Sequence, residues 1–250
     1  MGIETQANRP DSVELETSFE LGYIPAWSYS TLKVFEQCSY RSFINKVKRV
    51  PEPSSPAADR GTQIHQECED FVNGKLEKQT KNMEKYKADF DNLRLLYEQG
   101  RVELEGEWGF TRDWAPTTWM GKGVWARIKL DAKVMEDETS AIVIDYKTGK
   151  KYGNEIGHGE QGLLYAIATF LRNPELQHVT VQFWYLDQPR EQMTEKKYTR
   201  NQVMNFLPAW HSRAVKMTTA LEFDPTPSKE ACRWCPYKKG EFPECKWGVE

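Results

Sequence analysis

Two apolar segments joined by a short polar turn constrain the fold of this chain most strongly. The first, KGVWARIKLDAKVM, alternates apolar and charged residues, so its apolar side chains should line one face of a β-strand and Asp131 the other. The second, residues 140–148, carries Asp145 and Lys147 on the face opposite its isoleucines. If the strands pair as a hairpin through the EDETS turn, Asp131, Asp145 and Lys147 converge on one point.

Helical patterns flank these strands and divide the chain. Apolar spacing predicts helices over 28–50, 62–74, 83–99, 160–172 and 199–221, and a further strand over 178–187. Changes in composition suggest four segments: an acidic leader that is flexible or docks late (1–25), a helical region (26–100), a core (101–222) and a cysteine-rich tail (223–250).

Net charge gives no direct support for a nucleic-acid partner. The 250 residues include 34 Lys and Arg against 37 Asp and Glu, a formal net charge of -3. The acid is concentrated in the leader, however, whereas residues 27–50 contain five basic residues and one acid. No apolar run reaches the roughly 18 residues of a membrane span, and no secretory signal is recognisable. We therefore expect no membrane partner and a cytoplasmic location.

Asp131, Asp145 and Lys147 together have the chemistry of a divalent-cation site. Carboxylate oxygens are hard ligands that suit Mg²⁺ or Mn²⁺, and a nearby ammonium can orient a water or offset charge on a phosphate. The alternative is three solvated charges on an exposed sheet face. The apolar run AIVI before Asp145 favours the cation site, since such runs mark central strands.

Three further polar residues lie away from the apolar faces of their predicted helices. His65 is close to the start of one helix and is a candidate metal ligand, although a structural or surface histidine is the commoner case. Gln161 and Tyr165 are four residues apart and share a helix face, where they can bind a phosphate or a base edge. Their alternative role is a half-buried polar rim.

The five cysteines indicate a metal or cluster site more than disulfides. Cys232 and Cys235 form a C-x-x-C pair, and Cys245 follows in the same irregular tail. Cys38, in the basic region, is the best fourth ligand, because Cys68 lies on an apolar helix face and should pack in the core. A redox pair is the alternative, but no thioredoxin-like context surrounds it.

Taken in order, these residues resemble a known family. The series GTQIH at 61–65, Asp131, D-Y-K at 145–147 and Q-x-x-x-Y at 161–165, with one early and three late cysteines, is similar to the PD-(D/E)XK nuclease superfamily. The closer resemblance is to its RecB-like exonuclease branch with an iron-sulfur cluster, which includes CRISPR-associated adaptation nucleases. This sequence departs from the pattern in three places: Leu130 replaces the eponymous proline, Asp145 replaces a frequent Glu, and nine residues separate Cys235 from Cys245.

The resemblance implies a fold, cofactors and residue roles. The fold would be an α/β, restriction-endonuclease-like mixed central sheet flanked by helices. The implied metal ligands for Mg²⁺ or Mn²⁺ are His65, Asp131 and Asp145, with Lys147 as the catalytic lysine and Gln161 and Tyr165 as the accessory motif. The implied ligands of a 4Fe-4S cluster, or alternatively of zinc, are Cys38, Cys232, Cys235 and Cys245.

These observations predict a divalent-metal-dependent deoxyribonuclease. We expect an exonuclease that acts on single-stranded DNA or DNA with a free end in recombination, repair or phage DNA metabolism. Any unwinding needs a helicase partner, because no Walker motif is present. Contacts to DNA are predicted for Lys33, Arg41, Arg233 and Trp234. The alternatives are a non-catalytic DNA-binding or assembly module of the same fold and a zinc-binding interaction protein.

Overall fold

The alternating segments form one mixed sheet of seven strands in the computed structural model, which describes residues 15–238 and 245–249. The strands are β1 (Trp27–Ser28), β2 (Val102–Phe110), β3 (Pro116–Thr118), β4 (Ala126–Met135), β5 (Ser140–Lys147), β6 (His178–Tyr185) and β7 (Thr194–Thr199). Their order is β3-β2-β4-β5-β6-β7, and β1 pairs with β4. β5 and β6 are parallel because a helix crosses between them, as an α/β fold requires.

Eight α-helices connect the strands within the described residues. They are α1 (Tyr29–Gln37), α2 (Ser39–Ser42), α3 (Pro56–Val72), α4 (Lys87–Glu98), α5 (Glu155–Arg172), α6 (Arg200–Met204), α7 (Leu207–Thr218) and α8 (Lys229–Arg233). A π-helical turn, Phe43–Val47, follows α2, and a 3₁₀-helix, Lys81–Tyr86, precedes α4. No helix among the described residues is long and apolar enough to cross a membrane.

Helices cover both faces of the sheet, so the protein has two layers of apolar core. Val143 of β5 packs with residues of α5 on one face, whereas Ile144 packs with residues of α3 and α4 on the other. We call these the α5 core and the α3 core. This alternation along β5 confirms the faces predicted for that strand and gives the α/β class expected from the resemblance.

The β4–β5 hairpin is the element that creates a site in this sheet. The two strands pair from Met135 and Ala141 as far as Ala132 and Ile144, and there the ladder stops. Asp131 is the next residue along β4. Continued pairing would set Asp131 opposite Asp145, so the separation of the strands begins at the two predicted carboxylates.

The alternation of β4 changes face at the same point. Leu130 belongs to the α5 core and Ala132 to the α3 core, while Asp131 between them is also buried. The sequence-based expectation that all apolar residues of KGVWARIKLDAKVM line one face is therefore wrong. The strand turns about Asp131, and a twist of this kind is invisible to a period-2 pattern.

The neighbouring strand β2 contains a residue with an unusual backbone conformation at this position. Glu105 has φ 48°, and it lies between the pairs Leu104–Ala132 and Gly106–Leu130, directly across from Asp131. On β2 the packing also changes face, from Leu104 against the α3 core to Trp108 in the α5 core. A positive φ is costly for a residue with a Cβ, so the local twist is concentrated here.

Several helix boundaries differ from the predicted ones for local reasons. The predicted helix over 28–50 breaks at Cys38, whose backbone is extended (φ -160°, ψ 104°). α3 begins at Pro56, earlier than expected, because Ser55 caps it by accepting from the Ala58 N–H at 3.2 Å. The helix over 199–221 is interrupted after Met204, so that proline 208 lies in the first turn of a new helix and does not bend a continuous one.

Of the predicted leader, residues 1–14 lie outside the described residues, and residues 15–25 pack against the body. Leu15 and Phe19 contact the α5 core, Ile24 is buried in it, and the Gly22 N–H donates to the Thr218 carbonyl at 2.7 Å. A described part of the acidic segment is thus an ordered part of the fold.

Replacement of Phe90 by Ala tests the α3 core. The Phe90 ring is fully buried and packs edge-on to Trp184 at 5.2 Å between centroids. We expect Phe90→Ala to lower the free energy of unfolding by about 3–5 kcal/mol through lost burial and a residual cavity. Leu95→Ala on the same helix is the control, because Leu95 is 56% exposed and should change stability by less than about 0.5 kcal/mol. Urea unfolding followed by tryptophan fluorescence measures both, and equal effects would contradict the packing.

Candidate active site

A cleft of about 500 Å³ opens where β4 and β5 separate. One wall contains the polar residues of the strands and of α3 and α5, and the opposite wall contains the start of α1 and the β3–β4 connection. All six candidates of the metal and accessory motifs line it: His65, Asp131, Asp145, Lys147, Gln161 and Tyr165. The structure therefore brings together residues that are up to 100 positions apart in the sequence.

Asp131 joins the two strands at the floor of the cleft. Its Oδ2 accepts the Tyr146 backbone N–H at 2.6 Å, in place of the carbonyl that a continued ladder would supply. Its Oδ1 lies 2.9 Å from Nδ1 of His65. Burial raises the pKa of the Asp131 carboxyl, and the adjacent Asp145 raises it further.

His65 reaches this carboxylate from the middle of α3. The apolar face of α3, with Ile64, Cys68, Phe71 and Val72, packs on the sheet, and His65 lies beside it on the rim of the cleft. Burial disfavours the charged imidazole, but the hydrogen bond and the charge of Asp131 outweigh it and raise the pKa of His65. The histidine is thus coupled to the site electrostatically as well as by contact.

Asp145, Lys147, Gln161 and Tyr165 form a closed ring of contacts. Tyr165 donates its O–H to Asp145 Oδ1 at 2.7 Å, and the Gln161 amide N–H₂ donates to the Tyr165 oxygen at 2.6 Å. Lys147 Nζ donates to Gln161 Oε1 at 2.9 Å and lies 2.6 Å from Asp145 Oδ2. The ring explains why Gln161 and Tyr165 are one helical turn apart, since both must face β5 from α5.

The contact between Lys147 and Asp145 leaves one oxygen free to accept. Asp145 is 4% exposed, and its Oδ2 has no partner with hydrogen-bond geometry, although the ammonium is close by. A buried carboxylate oxygen without a hydrogen bond is costly unless a ligand completes it. The unpartnered oxygen lines the same cleft as the imidazole of His65 and the carboxylate of Asp131.

These residues fit a divalent cation. They offer carboxylate oxygens and one imidazole nitrogen, a donor set that suits Mg²⁺ or Mn²⁺. Ligand atoms of His65, Glu105 and Asp131 all lie within 4.8 Å of one another. The cation would also neutralise adjacent buried carboxylates, whose repulsion contributes to the raised pKa of Asp131.

Sequence reasoning missed several residues that line the cleft. Glu105 of β2 is one, and the signal for it was only a charged residue within an alternating strand. Trp119 and Arg127 form part of the opposite wall, where Arg127 donates its Nε–H to the Trp119 carbonyl at 2.9 Å. Ser28 and Ser30 at the start of α1 complete that wall.

The predicted DNA contacts lie elsewhere. Lys33 pairs with Glu160 at 2.9 Å, and Arg41 makes a bidentate pair with Glu52. Arg233 lies over Trp234, whose ring is 79% exposed. Among the described residues that line the cleft, none of these four is found, so their predicted role is not part of the cleft itself.

The four candidate cluster cysteines converge on a second, smaller pocket. Cys38, Cys232, Cys235 and Cys245 all line it, whereas Cys68 is buried in the α3 core. Contacts around the pocket join the two ends of the described chain: the rings of Tyr40 and Trp247 meet edge to face at 4.6 Å, Ser39 donates to the Asp224 carbonyl at 2.8 Å, and Tyr237 donates to the Val50 carbonyl at 2.6 Å.

A sequence model of the PD-(D/E)XK nuclease superfamily matches residues 26–239. This range covers most of the chain and every residue of the cleft. The protein therefore belongs to the PD-(D/E)XK nuclease superfamily, as the order of its motifs indicated. No curated protein matches the sequence significantly.

Three solved structures illustrate the likeness in fold. The crystal structure of SSO0001 has a TM-score of 0.44 at 15% identity and covers 84% of this chain and 82% of its own. An alkaline exonuclease from Laribacter hongkongensis has a TM-score of 0.40 at 11% identity, covering 78% and 89%. A phage related exonuclease from Haemophilus somnus 129PT has a TM-score of 0.32 at 12% identity, covering 78% and 94%.

Protons should compete with Mn²⁺ for this site. His65 has a pKa above the ordinary 6.5, and Asp131 one above the ordinary 3.8, so each native group holds its proton to a higher pH than usual. Mn²⁺ affinity should therefore begin to fall, as the pH is lowered, while the pH is still above 6.5. Calorimetric titrations between about pH 8.5 and pH 5.5 measure this. A His65→Gln variant should bind Mn²⁺ more weakly and lose the step, and an affinity independent of pH would contradict the coupling.

Proposed function

We propose that the protein is a divalent-metal-dependent deoxyribonuclease that hydrolyses phosphodiester bonds in the cleft between β4 and β5. The observation that carries the proposal is the convergence of His65, Asp131, Asp145 and Lys147 on one cleft, with a buried Asp145 oxygen that lacks a hydrogen bond. Superfamily membership supplies the nuclease class, and the acidic donor set supports metal dependence.

His65, Asp131 and Asp145 would hold the Mg²⁺ or Mn²⁺. When bound, the cation supplies Lewis-acid polarisation of the scissile phosphate and activates water for attack. The protein positions these ligands beforehand: the Tyr146 N–H holds Asp131, and the Tyr165 O–H holds Asp145. Such preorganisation reduces the rearrangement that the reaction would otherwise require.

Lys147 would orient the attacking water and offset the negative charge that develops on the phosphate. An ammonium has three N–H donors, and one of them is engaged by Gln161 at 2.9 Å. The side chain is 20% exposed, so it borders the cleft while its direction is fixed by Gln161 and Asp145. Gln161 and Tyr165 act through this ring as positioning residues.

The wall opposite the carboxylates would accommodate the DNA strand. Arg127 and Lys129 bring positive charge to it, and Trp119 presents a partly exposed ring. Phosphate contacts to basic groups and stacking of bases on aromatic rings are the general means of binding single strands. The preference for single-stranded or free-ended DNA, and hence exonuclease action, rests on the resemblance to the RecB-like branch.

Replacement of Lys147 by Ala tests the proposed chemistry. We expect cleavage of linear single-stranded DNA with Mn²⁺ to slow by about 10²–10³-fold, because a preorganised positive charge is lost at the reacting phosphate. Lys150→Ala is the matched control, three residues further on, where the lysine is exposed and does not line the cleft.

Two outcomes would overturn the proposal. One is wild-type cleavage rates in Lys147→Ala. The other is DNA that is bound but never cut by the wild-type protein with any divalent cation, as expected for a non-catalytic module. A covalently closed single-stranded circle, degraded as fast as the linear strand, would remove the exonuclease assignment alone.

The cysteine pocket would hold a 4Fe-4S cluster with Cys38, Cys232, Cys235 and Cys245 as ligands. Four free thiols from both ends of the described chain line one pocket, which supports a shared metal group. Among residues 15–238 and 245–249, no three of these sulfurs lie within 4.8 Å of one another. Sulfurs around a tetrahedral zinc are separated by about 3.8 Å, so the wider spacing favours the larger group. The tail from residue 223 would then be the cluster-binding segment.

Replacement of Cys38 by Ser tests the cluster. Protein purified without oxygen should contain iron and sulfide and absorb visible light, and Cys38→Ser should lose most of both, because one of the four ligands is removed. Cys68→Ala is the matched control: this thiol is buried in the α3 core and should leave the iron content unchanged. Stoichiometric zinc in place of iron would contradict the cluster, and iron that persists in Cys38→Ser would exclude Cys38 as a ligand.

A nuclease of this kind would work with other proteins in the cytoplasm of a prokaryotic or phage-infected cell. Recombination, repair and phage DNA metabolism all present free DNA ends, and a helicase would supply single strands. Addition of a helicase to blunt duplex DNA should then accelerate degradation only where unwinding, not cleavage, limits the rate.

A further inference from the structure

Glu105 is a third carboxylate at the edge of the candidate metal site, and the sequence motifs do not include it. One oxygen of Glu105, one nitrogen of His65 and one oxygen of Asp131 lie within 4.8 Å of one another. Its side chain is 22% exposed and lines the same cleft. The three ligand atoms come from β2, α3 and β4, so the grouping arises from the tertiary structure alone.

The backbone at Glu105 is held in a conformation that most residues avoid. Its φ of 48° is in the left-handed region, which costs roughly 1–2 kcal/mol for a residue with a Cβ. Glycine or asparagine would adopt this conformation with less strain, yet the chain has glutamate here. Strain of this kind persists where the surrounding structure requires a particular side chain at that point.

The ion pair between Glu105 and Lys129 does not account for the strain. Lys129 is 50% exposed, and surface pairs of this type contribute only about 0–1 kcal/mol. Glu107, two residues further along β2, already reaches the same ammonium at 4.0 Å. Lys129 therefore has a second acidic partner without any need for Glu105 to adopt a positive φ.

The position of Glu105 relative to Asp145 is also informative. Asp145 is held on the α5 side by Tyr165 and Lys147, and it is not in the group of ligand atoms within 4.8 Å. Asp131 lies between the two, since its carboxylate contacts His65 and its backbone neighbours both strands. Glu105 thus supplies an oxygen on the side of Asp131 that Asp145 does not occupy.

We infer that Glu105 is a fourth protein ligand of the divalent cation, added to His65, Asp131 and Asp145. The inference rests on the proposed function, since it concerns the same cation. The twist at the Glu105–Asp131 position turns the Glu105 carboxylate towards the cleft, and Lys129 pairs with it when no cation is bound. A fourth protein donor raises the affinity for the cation by adding both a ligand and a negative charge.

Mn²⁺ binding by the full chain tests this inference without any measurement of cleavage. Isothermal titration calorimetry would compare the wild type with Glu105→Gln and Glu107→Gln, two isosteric changes that each remove one negative charge from the same strand. We expect Glu105→Gln to weaken Mn²⁺ binding about 10–100-fold. Glu107→Gln, which is exposed and pairs with the same lysine, should bind close to the wild-type level. Melting temperatures without metal should be similar for both variants, which shows that each is folded.

Asp145→Asn separates failure of this inference from failure of the proposed function. If Asp145→Asn abolishes Mn²⁺ binding while Glu105→Gln leaves it unchanged, Glu105 is not a ligand and the proposed site stands. Equal weakening in Glu105→Gln and Glu107→Gln also overturns the inference, because the effect is then one of net charge. Absence of Mn²⁺ binding in the wild type would overturn the proposed function and the inference together.

Discussion

The hydrogen bond from the Tyr146 N–H to the Asp131 carboxylate, 2.6 Å long, is the contact on which the rest of the site depends. The β4–β5 ladder ends one residue earlier, and a buried N–H without an acceptor would be costly there. Because a side chain replaces the missing carbonyl, the strands can separate without that cost. Their separation opens the cleft, and the second oxygen of Asp131 fixes His65 at 2.9 Å.

The site concentrates negative charge that the fold only partly compensates. Asp131 and Asp145 are both buried, and their repulsion together with desolvation raises the pKa of Asp131. Lys147 offsets part of this charge, and its contacts with Asp145 and Gln161 restrict its motion. One Asp145 oxygen still lacks a hydrogen bond. Such a site is electrostatically incomplete until a cation binds, which is the usual relation between stability and function at active sites.

Sequence reasoning predicted most of this site because its residues lie on regular elements. The hairpin follows from two alternating segments, and the shared face of Gln161 and Tyr165 follows from their spacing of four. The same reasoning failed where β4 changes face at Asp131, since a period-2 pattern assumes a uniform strand. It also failed at Cys38, where an extended residue interrupts a helical pattern and directs the chain to the cysteine pocket.

The sequence by itself determined the strands, the helix faces and the identity of the carboxylates and the lysine, because local periodicity records which side of an element is buried. Only the tertiary structure decided which distant groups meet. The approach of Glu105 to Asp131 depends on a positive φ and on pairing between β2 and β4, and neither leaves a local signal. The meeting of Cys38 with the tail cysteines depends likewise on long-range packing, which periodicity does not encode.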